Sequence, residues 1–161
     1  MKRIFFILFL LILQTSCLAS SLTDEALLHL NKPYIYATAG PDSFDCSGLT
    51  FYCSKKAYHK TLKRTAYEQG YDDFYEKIVN IEDLQRGDLV YFNTNLKDND
   101  LCDHAGIYLM NGNFIHASSS DEKVVISNLL TGYYNKRFSW GRRIIKGEFY
   151  EKPFYSTKQE K

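Results

Sequence analysis

Residues Ala105 to Ala117 constrain the fold more than any other stretch, because an alternating apolar pattern runs into and out of an Asn-Gly pair. In Ala105-Gly106-Ile107-Tyr108-Leu109-Met110-Asn111-Gly112-Asn113-Phe114-Ile115-His116-Ala117, the set Ala105, Ile107, Leu109, Ile115 and Ala117 has to share one buried face. Side chains alternate across a strand, so a slip of one residue would turn the whole set outward. A two-residue Asn-Gly loop pairs Met110 with Asn113 and sets Ile107 against His116, which mixes the faces. A three-residue loop of Met110, Asn111 and a left-handed Gly112 pairs Leu109 with Asn113 and Ile107 with Ile115, and the apolar residues agree. The same register gathers His104, Gly106, Tyr108, Phe114, His116 and Ser118 on the other face. His116 then lies opposite Gly106, with His104 as its diagonal neighbour within side-chain reach. Two histidines meeting over a glycine are poor core filler, whereas one can act as a base while the other fixes its tautomer.

The hairpin belongs to a larger sheet. Leu89-Val90-Tyr91-Phe92 follows the turn Arg86-Gly87-Asp88 and suits a central strand, and further strand patterns fall at Ile78-Val79, Val124 to Ile126 and Arg142 to Ile145. Helical spacing comes earlier: Thr23 to Leu30, capped by Thr23 or Asp24 and ended by Pro33; Ser47 to Tyr58 through Leu49, Cys53 and Ala57; and Thr65 to Gln69. Helices first and strands afterwards predict an α+β fold with an antiparallel sheet. With 161 residues the chain holds one domain. Its 20 Lys and Arg against 19 Asp and Glu give a net charge of +1, which supplies no basic field for a polyanion and argues against nucleic acid as a partner.

The first residues read as an export signal. Met1-Lys2-Arg3 precedes an apolar run from Ile4 to Leu13 and then small or polar residues. That run is about half the roughly 20 residues a membrane-spanning helix requires. Cys17-Leu18-Ala19 offers a cut after Ala19. The competing outcome is lipidation of Cys17, although Gln14 stands where a lipoprotein signal carries Leu. Membrane attachment is expected only through that route.

An exported chain meets oxidants, and Cys46, Cys53 and Cys102 are an odd number. No C-x-x-C spacing occurs, and Cys46, Cys53, Cys102 and His104 lack the spacing of a zinc site, so neither metal nor cofactor is expected. Cys46 lies where an irregular stretch turns into a helix, and a helix N-terminus lowers the pKa of a thiol there. A buried structural thiol is the competing reading. Cys53, seven residues on, would sit about 10 Å away along a helix, beyond the ~7 Å reach of a disulfide, and reads as core. Cys102 reads as a small buried thiol in preference to a redox partner of Cys46. His29 and His59 have no such companions and read as surface residues.

The segments Tyr34, Phe44-Asp45-Cys46-Ser47-Gly48-Leu49, Arg64-Thr65, Leu84-Gln85-Arg86-Gly87-Asp88-Leu89-Val90, His104-Ala105-Gly106-Ile107-Tyr108 and Phe114-Ile115-His116-Ala117-Ser118-Ser119 resemble, in order and spacing, the NlpC-type cell-wall endopeptidases, papain-like cysteine peptidases of bacterial envelopes. The resemblance runs from about Lys32 to Ile145. It implies a papain-like fold in which N-terminal helices carrying the nucleophile pack on the antiparallel sheet. It also implies Cys46 as nucleophile, His104 as base, His116 as orienting residue and Tyr34 as an oxyanion donor beside the Cys46 N–H. Asp45 and Ser47 match residues that in some members read the free amine of a stem peptide, with Arg64 beside them in the substrate site; simple helix-cap roles compete with this reading. The expected organisation is a signal peptide over 1–19, a catalytic domain over 20–147 and a tail over 148–161, acting as a monomer in the periplasm or cell envelope, or secreted.

The expected activity is hydrolysis, through a thioester, of γ-D-glutamyl to diamino-acid bonds in peptidoglycan stem peptides. Alternatives are acyl transfer or amide hydrolysis on another envelope substrate, or wall binding without catalysis. Two departures from the family pattern stand out. Ala37-Thr38 replaces a glycine pair after the aromatic at Tyr36, which can narrow the groove, and Lys63 stands where proline is common.

Overall fold

The computed structural model describes residues 21–96 and 102–144. The expected signal peptide, Cys17 and the tail over 148–161 lie outside the described residues. Three helices come first: α1 Leu22–Leu27, α2 Cys46–Tyr58 and α3 Ala66–Gly70. Then follow β1 Glu76–Ile78, a 3-10 turn Ile81–Asp83, β2 Leu89–Phe92, β3 His104–Met110, β4 Asn113–Ser118, β5 Lys123–Asn128, a single helical turn α4 Gly132–Asn135, and β6 Phe138–Arg143. The strands form one sheet in the order β1-β6-β2-β3-β4-β5, with every described pairing antiparallel. The expected α+β, papain-like architecture is the observed one. No helix among the described residues is long and apolar enough to cross a membrane.

Both faces of the sheet are covered. On one, Leu49 and Cys53 of α2, with Leu22, Ala26 and Phe44, pack against Leu89, Tyr91, Ala105, Ile107, Ile115 and Ala117. On the other, Val90, Phe92, Tyr108 and Phe114 meet Leu84 and Leu129, with Tyr134 and Phe138 at the margin. All four residues of β2 are therefore buried, as its unbroken apolar run predicts.

The hairpin corrects the expected loop. Met110 pairs with Asn113 across a two-residue turn, with Asn111 at φ 52° and Gly112 at φ 77°, the left-handed pair that an Asn-Gly turn of this kind requires. Yet Ile107 still faces Ile115. A bulge at Leu109, between the Tyr108–Phe114 and Met110–Asn113 pairs, takes up the extra residue and restores the faces. Gly106 lies beneath this register: a Cβ there would fall 2.7 Å from Phe114 Cδ2 and 3.0 Å from the Ile115 carbonyl oxygen.

Other boundaries move for local reasons. Helix α1 starts one residue early because Ser21 caps it, accepting the Asp24 N–H at 3.2 Å while Asp24 reaches back to the Ser21 N–H, so Asp24 is the reciprocal partner and not the cap. It ends at Leu27, short of Leu30. Strand β1 lies just before Val79, and β6 begins at Phe138, well ahead of Arg142. Its Trp140 Nε1–H donates to the Gly70 carbonyl at 2.7 Å, which fixes β6 to the end of α3. His29 is not a surface residue: it is 8% exposed, packed against Phe44 and Tyr52, and within 3.2 Å of Glu25. His59 is exposed, as expected, and closes α2 in a left-handed conformation at φ 54°.

Candidate active site

The site lies where the start of α2 meets the start of β3. Asp45 caps α2, its Oδ1 accepting the Gly48 N–H at 2.6 Å, and this turns Cys46 into the first helical residue. Cys46 is half-buried. Its sulfur faces the N–H groups of Ala105, Ser47 and Cys46 itself, all of which favour a thiolate. Burial outweighs them, and with help from the Asp45 carboxylate it pushes the thiol above its ordinary value. The expected fall in thiol pKa is therefore not found in the resting site: withdrawal from water costs the anion more than the helix start returns.

His104 opens β3, and His116 sits on the neighbouring β4 and is fully buried. His104 Nε2 lies 2.9 Å from His116 Nδ1, with the rings nearly perpendicular. The histidine pair expected from the hairpin register is thus formed. Burial draws His104 down to about 4 against the opposing pull of Asp103. Burial and then the neighbouring His104 draw His116 down to about 2. Both rings are neutral near pH 7.

Tyr34 is half-buried and lines the same groove as Cys46. Burial, followed by the charges of Cys46 and Asp45, pushes its phenol upward, so it keeps its proton and remains a donor. Tyr34, Cys46, Asp45, Ser47 and Arg64 line one open groove of about 410 Å³. Arg64 grips Asp45 with two nitrogens, Nη2 to Oδ2 at 2.6 Å and Nη1 to Oδ1 at 3.1 Å. It also donates to Ser47 Oγ at 3.2 Å and to the Thr38 carbonyl at 3.3 Å. Asp45 and Ser47 are buried and held by this clamp; Asp45 both caps α2 and lines the groove, whereas Ser47 lies inside the helix and donates its hydroxyl to Asp45 Oδ1 at 3.3 Å.

Two residues of this region escaped the sequence. The Tyr134 ring on α4 stacks on His104 and meets His116 edge-on at 5.1 Å, and burial raises its phenol to about 12. Nothing in a four-residue helical turn announces such a contact. Ser127 Oγ lies 2.9 Å from His116 Nε2. Extending the hairpin register to β5 would have found it. Cys102, buried, donates its thiol to the Ala66 carbonyl at 3.0 Å. Cys46, Cys53 and Cys102 are all free thiols. Among the described residues no cluster suited to a metal ion occurs.

The sequence of residues 31–143 matches the model of the NlpC/P60 family. The chain belongs to that family. It is 39% identical over 120 residues to the probable endopeptidase YafL of Escherichia coli K12, covering 74% of this chain and 47% of that protein. It is 30% identical over 123 residues to the murein DD-endopeptidase MepH of the same strain, covering 76% and 44%. Among solved structures, an NlpC/P60 family protein from Bacillus cereus superposes with a TM-score of 0.68 at 30% identity, over 78% of this chain and 39% of that one. The chain thus spans somewhat less than half the length of these curated relatives. Ala37, on the rim of the groove, holds φ 63°, a left-handed conformation in which a glycine is at ease.

Proposed function

We propose that this chain is an envelope cysteine peptidase that hydrolyses the γ-D-glutamyl to diamino-acid amide bond of peptidoglycan stem peptides. In this reading residues 1–19 direct export, and the domain over 20–147 acts as a monomer. The reading is carried by the 2.9 Å contact between His104 Nε2 and His116 Nδ1, two neutral rings, the first half-buried and the second fully buried, at the strand end that meets a half-buried Cys46. A base must be neutral to accept a proton, and its second nitrogen must be held.

His104 Nδ1 takes the Cys46 proton as the sulfur attacks the scissile carbonyl carbon. The tetrahedral oxyanion would accept hydrogen bonds from the Cys46 N–H and the Tyr34 hydroxyl, which lines the same groove. His104 then gives the proton to the departing amine, leaving a thioester on Cys46. Water, deprotonated by His104, attacks that thioester and releases the acid, and the proton returns to the thiol. Asp45, Ser47 and Arg64 form a polar end to the groove near Cys46. In this reading the Asp45 carboxylate and the Ser47 hydroxyl, rather than Arg64, meet the free amine of a short acyl portion, which favours the γ-D-glutamyl bond over one deeper in the stem.

Mass spectrometry of free stem peptides, and of muropeptides beside them, treated with the protein tests the reading. The expected products are a dipeptide ending in glutamate and a fragment beginning with the diamino acid, with α-linked analogues left intact. Cleavage between two D-residues, as the name of MepH describes, would move the activity to another bond. Release of the whole stem from sugar, or no cleavage, would overturn the peptidase reading.

A further inference from the structure

We propose that Ser127 is a positioning residue, the terminal hydrogen-bond acceptor that fixes the tautomer of His116 and through it the orientation of His104. The proposal rests on His104 acting as the base. On β5, Ser127 pairs with Phe114 while Val125 pairs with His116, so Ser127 is the diagonal neighbour of His116 on the same face. Its Oγ lies 2.9 Å from His116 Nε2, and the other ring nitrogen, Nδ1, lies 2.9 Å from His104 Nε2. The His116 ring is held in this direction, with Phe114 stacked on it at 4.8 Å and Tyr134 edge-on at 5.1 Å.

Proton counting along this line gives Ser127 its role. When His104 takes a proton from Cys46, both of its nitrogens carry hydrogen, so Nε2–H must donate to His116 Nδ1. A neutral His116 that accepts at Nδ1 carries its single proton on Nε2. Within a fully buried ring that N–H needs an acceptor, and Ser127 Oγ is the partner in place. With the opposite tautomer, His116 would donate to His104 Nε2 and force the His104 proton onto Nδ1, the nitrogen that has to be bare to receive one. The Ser127 hydroxyl is thus required most when His104 is charged, which is during reaction and not in substrate binding.

The test uses protein labelled with 15N in histidine as wild type, Ser127→Ala and Ser127→Thr, together with steady-state kinetics on a stem peptide. At pH 7 the wild type and Ser127→Thr should show His116 protonated on Nε2 with Nδ1 bare. Ser127→Ala should move population to Nδ1–H and lower kcat roughly five- to tenfold, the worth of one hydrogen bond, with KM unchanged. An unchanged His116 tautomer in Ser127→Ala, an undiminished kcat, or a Ser127→Thr variant as slow as Ser127→Ala overturns the assignment. The tautomer is read in the resting protein. If no stem peptide is cleaved at all, the peptidase reading fails and the spectra alone decide the role of Ser127.

Discussion

The two walls of the site, one lining the groove and one behind it, are built from opposite materials. The α2 wall is polar and open: Asp45, Ser47 and Arg64 form an ion-paired clamp whose Arg64 side chain is 39% exposed. The β3–β4 wall is aromatic and drier, with half-buried His104 and fully buried His116 packed against Phe92, Phe114 and Tyr134. On the first wall, opposite charges are held beside one another whether or not a reaction is under way. On the second, burial suppresses charge in the resting state, drawing His104 down to about 4. In the proposed reaction a thiolate forming beside His104 would offset that penalty, so proton transfer to His104 and attack by Cys46 would be coupled.

Breaking the dry wall or the sulfur should produce the largest effects. Cys46→Ser and His104→Ala should each reduce hydrolysis to a few per cent or less while circular dichroism and melting behaviour stay close to wild type. His116→Asn should retain part of the activity, because an amide oxygen can still accept the His104 Nε2–H. Equal losses for His104→Ala and His116→Asn would mean that the second ring does more than hold the first.

A pH titration of stability measures how dry that wall is. The folded values of both histidines lie below the ordinary 6.5, so below about pH 6.5 the unfolded chain binds protons that the folded chain refuses. Stability is complete above that pH and falls as the pH drops toward 4, by at most about 1.4 kcal/mol per pH unit for each ring. The urea midpoint at pH 5 should lie clearly below that at pH 7, and His104→Ala should flatten the dependence. A midpoint that does not change between pH 7 and 5 would show that water reaches the rings.

Much of this contrast was legible in the sequence where it depends on local periodicity. Alternation around Asn111-Gly112 gathered His104 and His116 on one face, and the helical spacing after Cys46 located α2. The bulge at Leu109 was hidden because the same faces result from a longer loop, and only backbone geometry separates the two. The raised thiol of Cys46 and the buried His29 were hidden for a different reason: burial is set by what packs on top, and the residues on top are distant in sequence. Tyr134 and Ser127 reach the histidines through α4 and β5, after the chain has turned back across the sheet.

The polar wall should respond less, and differently. Arg64→Ala strands the buried Asp45 carboxylate with the Gly48 N–H and the Ser47 hydroxyl. Because Arg64 is more than a third exposed, water screens part of the pair, and the expected loss is about 1–2 kcal/mol, below that of a fully buried ion pair. KM should rise more than kcat falls. Arg64→Lys should recover little, since a single ammonium cannot reproduce the two-nitrogen grip. A fall in kcat alone would place Arg64 in the chemistry and erase the distinction between the walls.

The smallest effect is expected at Ala37, on the rim of the polar wall, where φ is 63°. A residue with a Cβ in the left-handed region costs roughly 1–2 kcal/mol relative to an ordinary conformation, whereas glycine occupies it without strain. Introducing glycine also loosens the unfolded chain, which takes back about 0.4–1 kcal/mol. The relief is the larger quantity, so Ala37→Gly should stabilise the fold by about 0.5 kcal/mol, or roughly 1–2 °C in Tm for a chain of this size. Removing the methyl also widens the groove beside Tyr36 and Ser47, so KM for a stem peptide still attached to sugar should fall more than KM for the free peptide. A lower Tm would mean that Ala37 is held by its surroundings at no cost. Unchanged KM values for both substrates would mean that the methyl does not shape the groove, and the polar wall would then select substrate through Asp45, Ser47 and Arg64 alone.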